Sequence, residues 1–157
     1  MKRLIQLNVN GELYEVAVQA YRTLAEVLRE ELDLTGTKEA CNQGDCGSCT
    51  VIIDGKTVSS CLTLAVEAEG REIRTIEGIA NGEELSPVQQ AFIDRGAIQC
   101  GFCTPGMVMS ATALLEENPN PTEDEVRMGI AGNICRCTGY TKIVEAVLAT
   151  EQEGGTK

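Results

Sequence analysis

The 157-residue sequence contains no histidine and no tryptophan, and its aromatic residues are three tyrosines and two phenylalanines. Without histidine the chain cannot hold a Rieske cluster or a mixed cysteine/histidine zinc ion, and it has no imidazole for acid–base work. A c-type haem attachment is excluded too, because Cys100-Gly-Phe-Cys103 is followed by Thr104. Positive charge is scarce: 13 lysines and arginines face 24 acidic residues, a net charge of −11. That balance argues against nucleic acid and against an anionic membrane surface as partners. No apolar run approaches the ~20 residues of a membrane span. The opening Met1-Lys-Arg-Leu-Ile-Gln-Leu-Asn-Val-Asn10 turns polar too early for a secretory leader. There is no Rossmann fingerprint, no phosphate-cradling glycine loop and no nucleophile–base constellation.

What the chain has in excess is cysteine, eight residues in two groups of four. With no leader, the expected location is a reducing cytoplasm, where such cysteines are more often metal ligands than disulfides. The first group is Cys41-Asn-Gln-Gly-Asp-Cys46-Gly-Ser-Cys49, completed by Cys61. Four thiolates make a soft, all-sulfur site that suits zinc or an iron–sulfur cluster. Zinc ribbons usually pair two C-x2-C knuckles, whereas here three ligands share one loop, which favours the cluster. The C-x4-C-x2-C spacing with a distant fourth cysteine resembles that of plant-type [2Fe–2S] proteins. Gly44 and Gly47 would let the loop wrap closely with its N–H groups turned toward an anionic cluster.

Around this loop the patterning is that of a small α+β unit. Leu4 to Val18 alternates about Asn10-Gly11, predicting a type I′ hairpin that pairs Val9 with Glu12, Leu7 with Tyr14 and Ile5 with Val16. Thr23-Leu-Ala-Glu26 is a capping box opening a helix of about three turns through Leu32. Thr50 to Val58 forms a second hairpin about Asp54-Gly55, and Ile73 to Ile76 a further short strand. After a polar connector near Gly78 to Ser86 the hydrophobic period changes from two to 3.6. Four helices are predicted: from Ser86-Pro87 to Gly96, from Thr104-Pro105 to Asn118, from the capping box Thr122-Glu-Asp-Glu125 to Gly132, and from Gly139-Tyr140 onward. The second buries Val108, Ala111, Leu114 and Leu115. Glu151 to Lys157 reads as a polar, disordered tail.

The second cysteine group lies in this helical half. Cys100-Gly-Phe-Cys103 joins the first two helices and Cys135-Arg-Cys137 the last two, so in an up-down-up-down bundle both pairs fall at one end. Each precedes a helix N-terminus, where the macrodipole favours thiolate. A thioredoxin-like dithiol would want a βαβ context. On spacing alone a zinc site remains a competing reading here. Phe102, Pro105 and Met107 are expected to put apolar surface near this end.

Gln99-Cys-Gly-Phe-Cys-Thr-Pro-Gly106, Gly132-Asn-Ile-Cys-Arg-Cys-Thr-Gly-Tyr140, Leu34-Thr-Gly-Thr-Lys38 and the first cysteine loop together resemble the small iron–sulfur subunit of the xanthine oxidase family of molybdenum hydroxylases. The likeness covers nearly the whole chain. Ala40 stands where the family often has glycine, and Asn42-Gln43 where Gly-Glu is more usual. The resemblance implies a ferredoxin-like β-grasp domain over residues 1–79 and a four-helix bundle over 80–157. It implies one [2Fe–2S] cluster in each, on Cys41, Cys46, Cys49 and Cys61 and on Cys100, Cys103, Cys135 and Cys137. It further implies a large partner carrying a molybdenum–pterin cofactor, a medium partner carrying FAD, and positions near the pterin for Gln99 and Cys137. On this reading the chain transfers electrons and binds no substrate. A freestanding two-cluster ferredoxin and a zinc-stabilised interaction protein are the alternatives.

Overall fold

A computed structural model describes the chain through Gly154. Strands β1 (Lys2–Val9) and β2 (Glu12–Gln19) form the first hairpin, in the predicted register Ile5↔Val16, Leu7↔Tyr14 and Val9↔Glu12. The turn residues Asn10 and Gly11 both take positive φ, 54° and 81°, as a type I′ turn demands. Asp54 (49°) and Gly55 (81°) repeat this between β3 (Thr50–Ile53) and β4 (Lys56–Ser59). Strand β5 (Glu72–Arg74) runs parallel to β1 and antiparallel to β3, which joins the two hairpins into one mixed sheet of order β2-β1-β5-β3-β4. Helix α1 (Leu24–Glu30) packs on one face, where Leu24, Val27 and Leu28 meet Ile5, Leu7, Val9, Val51, Ile53 and Ile73.

Thr23 caps α1 as its capping box predicts: its side chain accepts from the Glu26 N–H (3.2 Å), and Glu26 accepts from the Thr23 N–H (2.9 Å). The helix is shorter than the sequence pattern suggests. Beyond Glu30 the Leu32 N–H turns back to the Val27 carbonyl, Asp33 takes φ 56°, and the Leu34 N–H reaches the Leu28 carbonyl. Leu32 and Leu34 still pack on the core, from outside the helix. Removing the cap by Thr23→Ala is expected to cost about 1 kcal/mol, read as a lower urea midpoint with unchanged slope.

Four helices follow: α2 (Pro87–Asp94), α3 (Thr104–Glu117), α4 (Glu123–Gly129) and α5 (Thr141–Gly154). Ser86 and Thr122 close capping boxes with Gln89 and Glu125. The helices enclose a core of Phe92, Met107, Val108, Ala111, Val126, Ile143 and Val147, with Leu114 and Leu115 only partly buried beside it. Met107 is wholly buried, so it does not contribute to the apolar surface expected at the cysteine end. The C-terminal expectation is also corrected. Glu151, Gln152 and Glu153 are good helix formers, and α5 continues through them to Gly154. The rest of the expected tail, 155–157, lies outside the described residues.

The helices do not stand apart from the sheet. Strand β3 is buried along its whole length: Val51 and Ile53 face the α1 core, while α3 packs on β3 and β4 from the other side. Arg74 on β5 adds a bidentate pair with Glu116 on α3, at 2.8 and 2.6 Å.

Candidate metal centres

The first cysteine loop leaves Leu34 and returns at β3. Arg29 anchors its approach by donating to the carbonyls of Thr35 (2.9 Å) and Thr37 (2.7 Å), and the Lys38 N–H reaches the Ser48 carbonyl (3.2 Å). Within the loop Asn42, Gly44 and Gly47 take positive φ of 50°, 85° and 72°. This geometry turns N–H groups inward. Those of Gln43 (3.5 Å) and Cys46 (3.4 Å) donate to Cys41 Sγ and lower its thiol to about 6. Burial, then the neighbouring Cys49 thiol, pushes Cys61 up to about 11, opposed by the Gly44 N–H. Cys49 and Cys61 sit buried against Ala25 in the first turn of α1.

The second group meets where the loop before α3 faces the loop before α5. Burial raises Cys103 to about 12, with the Cys135 thiol as its next cause. The Cys137 thiol is raised by its contact with Cys100. Cys135 experiences the opposite balance: burial opposes ionisation, but the hydroxyl and N–H of Thr138 outweigh it and lower the thiol. Gly101 (83°), Gly139 (69°) and Tyr140 (70°) supply the positive φ here. Tyr140 braces the loop by accepting the Cys135 N–H at 3.0 Å.

Within each group the thiols lie close enough to perturb one another: Cys46 acts on Cys41, Cys49 and Cys41 on Cys61, Cys135 and Cys100 on Cys103, and Cys100 and Cys135 on Cys137. Among the described residues no three cysteine or acidic side chains are gathered about a single metal ion. Four neighbouring thiols with backbone donors aimed at them fit a two-iron cluster, whose sulfurs carry negative charge. Cys49, Cys61 and Cys135 are buried, whereas Cys100, Cys137 and Gln99 are exposed at one end of the molecule.

Sequence patterning missed how tightly the two loops lock together. Asn133, buried before Cys135, donates through Nδ2 to the Gly47 carbonyl (3.1 Å) and to Thr50 Oγ1 (3.4 Å), and accepts from Ser110 Oγ (2.7 Å). The Ile134 N–H donates to the Cys46 carbonyl at 2.8 Å. A Cβ on Gly47 would overlap the Gly132 carbonyl, and one on Gly106 would overlap the Gly47 carbonyl. The one trace in the sequence was Gly106 itself, a glycine in the first turn of a helix that marks a close approach.

Two such sulfur loops on an α+β frame define an iron–sulfur protein with two cluster sites. Residues 7–76 match the family described as "2Fe-2S iron-sulfur cluster binding domain", and residues 75–148 the "[2Fe-2S] binding domain". The chain is 54% identical to the nicotine 6-hydroxylase small subunit of Paenarthrobacter nicotinovorans over 153 residues, 98% of this chain and 92% of that protein. It is 50% identical to the xanthine dehydrogenase iron-sulfur-binding subunit of Escherichia coli O157:H7, covering 94% of each. The crystal structure of quinoline 2-oxidoreductase from Pseudomonas putida 86 contains a chain that superposes with a TM-score of 0.92 at 47% identity, covering 99% of both. The chain belongs to the small iron–sulfur subunits of the xanthine oxidase family of molybdenum hydroxylases.

Proposed function

We propose that this chain is the electron-transfer subunit of a multi-subunit molybdenum hydroxylase. The observation that carries this reading is the gathering of all eight cysteines into two four-sulfur groups, each with N–H donors on a sulfur. Cys41, Cys46, Cys49 and Cys61 would hold one [2Fe–2S] cluster, and Cys100, Cys103, Cys135 and Cys137 the other. When bound, each cluster supplies a one-electron redox couple; the protein's part is to set its potential through ligation, burial and hydrogen bonds to sulfur. We divide the chain into a β-grasp ferredoxin-like domain, 1–79, and a four-helix bundle, 80–157, which the change of hydrophobic period and the paired family matches support.

The partners on this reading are a large subunit carrying molybdenum–pterin and a medium subunit carrying FAD, in the cytoplasm, with neither nucleic acid nor membrane involved. The exposed end bearing Gln99, Cys100 and Cys137 is where the pterin would approach. Ile98, Phe102 and Ile134 are exposed beside it and offer apolar surface to the large subunit. Among the described residues no helix is long and apolar enough to cross a membrane.

Metal analysis tests the reading directly. The purified chain should contain about four irons and four acid-labile sulfides, and be red-brown, as two [2Fe–2S] sites require. Stoichiometric zinc in a colourless protein would overturn it in favour of a zinc-stabilised interaction module. Purification without large partners would instead support a freestanding ferredoxin.

A further inference from the structure

We propose that Thr138 is a positioning residue acting through Cys135, and that its hydroxyl raises the reduction potential of the helical cluster. The inference rests on the reading of Cys135 as a cluster ligand. Thr138 approaches Cys135 Sγ twice, through Oγ1 at 3.1 Å and through its backbone N–H at 3.4 Å. The direction of the hydroxyl bond is fixed from both sides. Thr138 Oγ1 already accepts from the Tyr140 N–H at 3.2 Å, which leaves its own proton for the sulfur. The free thiol here stands in for an iron-bound thiolate, which has no proton and can only accept.

The sign follows from charge. Reduction adds one electron and no proton to the cluster, so its sulfurs become more negative and bind a hydrogen-bond donor more tightly. A donor to sulfur therefore stabilises the reduced form and raises the potential. Cys135 is 8% exposed, so water screens the contact little and cannot replace a lost donor easily. The first loop lacks a counterpart. Its donors to Cys41 are backbone N–H groups, and among the described residues Thr138 is the hydroxyl that hydrogen-bonds a cysteine sulfur. The contact thus distinguishes the helical site from the ferredoxin-like one. It does so at a position that can be changed without touching a ligand.

The experiment compares Thr138→Val and Thr138→Ser with the native chain in the assembled holoenzyme, by redox titration of both clusters followed by electron paramagnetic resonance. Valine keeps the shape and the backbone N–H but removes the hydroxyl. It is expected to shift the helical cluster's reduction equilibrium about tenfold toward the oxidised form, equivalent to about 59 mV for a one-electron couple. Serine should restore the native potential, and the ferredoxin-like cluster should not move in either variant. Should valine empty the site, Thr138→Ala carries the same test with less bulk. Full iron content with an unshifted helical potential in the hydroxyl-free variant overturns the proposal alone. Retention of a native helical signal in Cys135→Ala would instead overturn the ligand reading beneath it.

Discussion

Gly106→Ala is expected to destabilise the chain by about 3 kcal/mol, a fall of roughly 6–12 °C in Tm for a protein of this size. Helix propensity alone predicts the opposite, since alanine is better than glycine in a helix by about 1 kcal/mol. Gly106 lies in the first turn of α3 and its φ is not positive, so the backbone poses no objection. The obstacle is the Gly47 carbonyl, which the new Cβ would overlap. That oxygen cannot move away cheaply, because it also accepts from the Thr50 N–H (3.1 Å), Thr50 Oγ1 (2.7 Å) and Asn133 Nδ2 (3.1 Å). Shifting it loosens the first cysteine loop and the Asn133 contact to the second together. Both cluster signals should therefore weaken in this variant. Gly132→Ala is the control, since nothing lies within 4 Å of a Cβ there; it should stay within about 0.5 kcal/mol of the native chain. Equal melting temperatures for the two variants would show that the contact carries no strain.

This joint also marks where the sequence ceased to be legible. Both hairpins, the register of the first and the three helix caps are local: Asn10-Gly11, Asp54-Gly55 and Thr23, Ser86 and Thr122 each act within a few residues. The parallel pairing of β1 with β5 spans more than sixty positions and has no local signature. The Asn133–Gly47 contact spans 86 positions, and a polar side chain in a loop shows no hydrophobic period. For the same reason the two cysteine groups read as belonging to separable units, while the fold brings Cys46 and Ile134 into direct hydrogen bonding. Met107 misled because an apolar residue close to a ligand loop can face either way. One turn of helix places it on the Phe92 and Ile143 side. Thr138 was visible as part of a motif, but its bond to the Cys135 sulfur is a side-chain contact that residue spacing alone does not reveal.

Substituting Cys46 by serine in the assembled enzyme should separate the two clusters in function. The lesion is confined to sulfur, because the Cys46 carbonyl that receives the Ile134 N–H belongs to the backbone and survives the change. The ferredoxin-like cluster should be lost, with about two irons remaining per chain on the helical cysteines. If the end bearing Gln99 and Cys137 faces the molybdenum–pterin, the helical site is the entry point for electrons and the ferredoxin-like site the exit. Substrate added to the Cys46→Ser enzyme should then still bleach the helical cluster, while flavin reduction and turnover fall to background. Cys100→Ser is the reciprocal lesion. Cys100 is exposed beside Cys137, so serine there should remove the helical cluster with little disturbance of the core. Substrate should then reduce neither the ferredoxin-like cluster nor the flavin. Rapid mixing with substrate, followed at cluster and flavin wavelengths, reads both variants. Flavin reduction at the native rate in the Cys46→Ser enzyme, with that cluster shown absent by its paramagnetic signal, would refute the serial arrangement and require a route to flavin that bypasses the first cysteine loop.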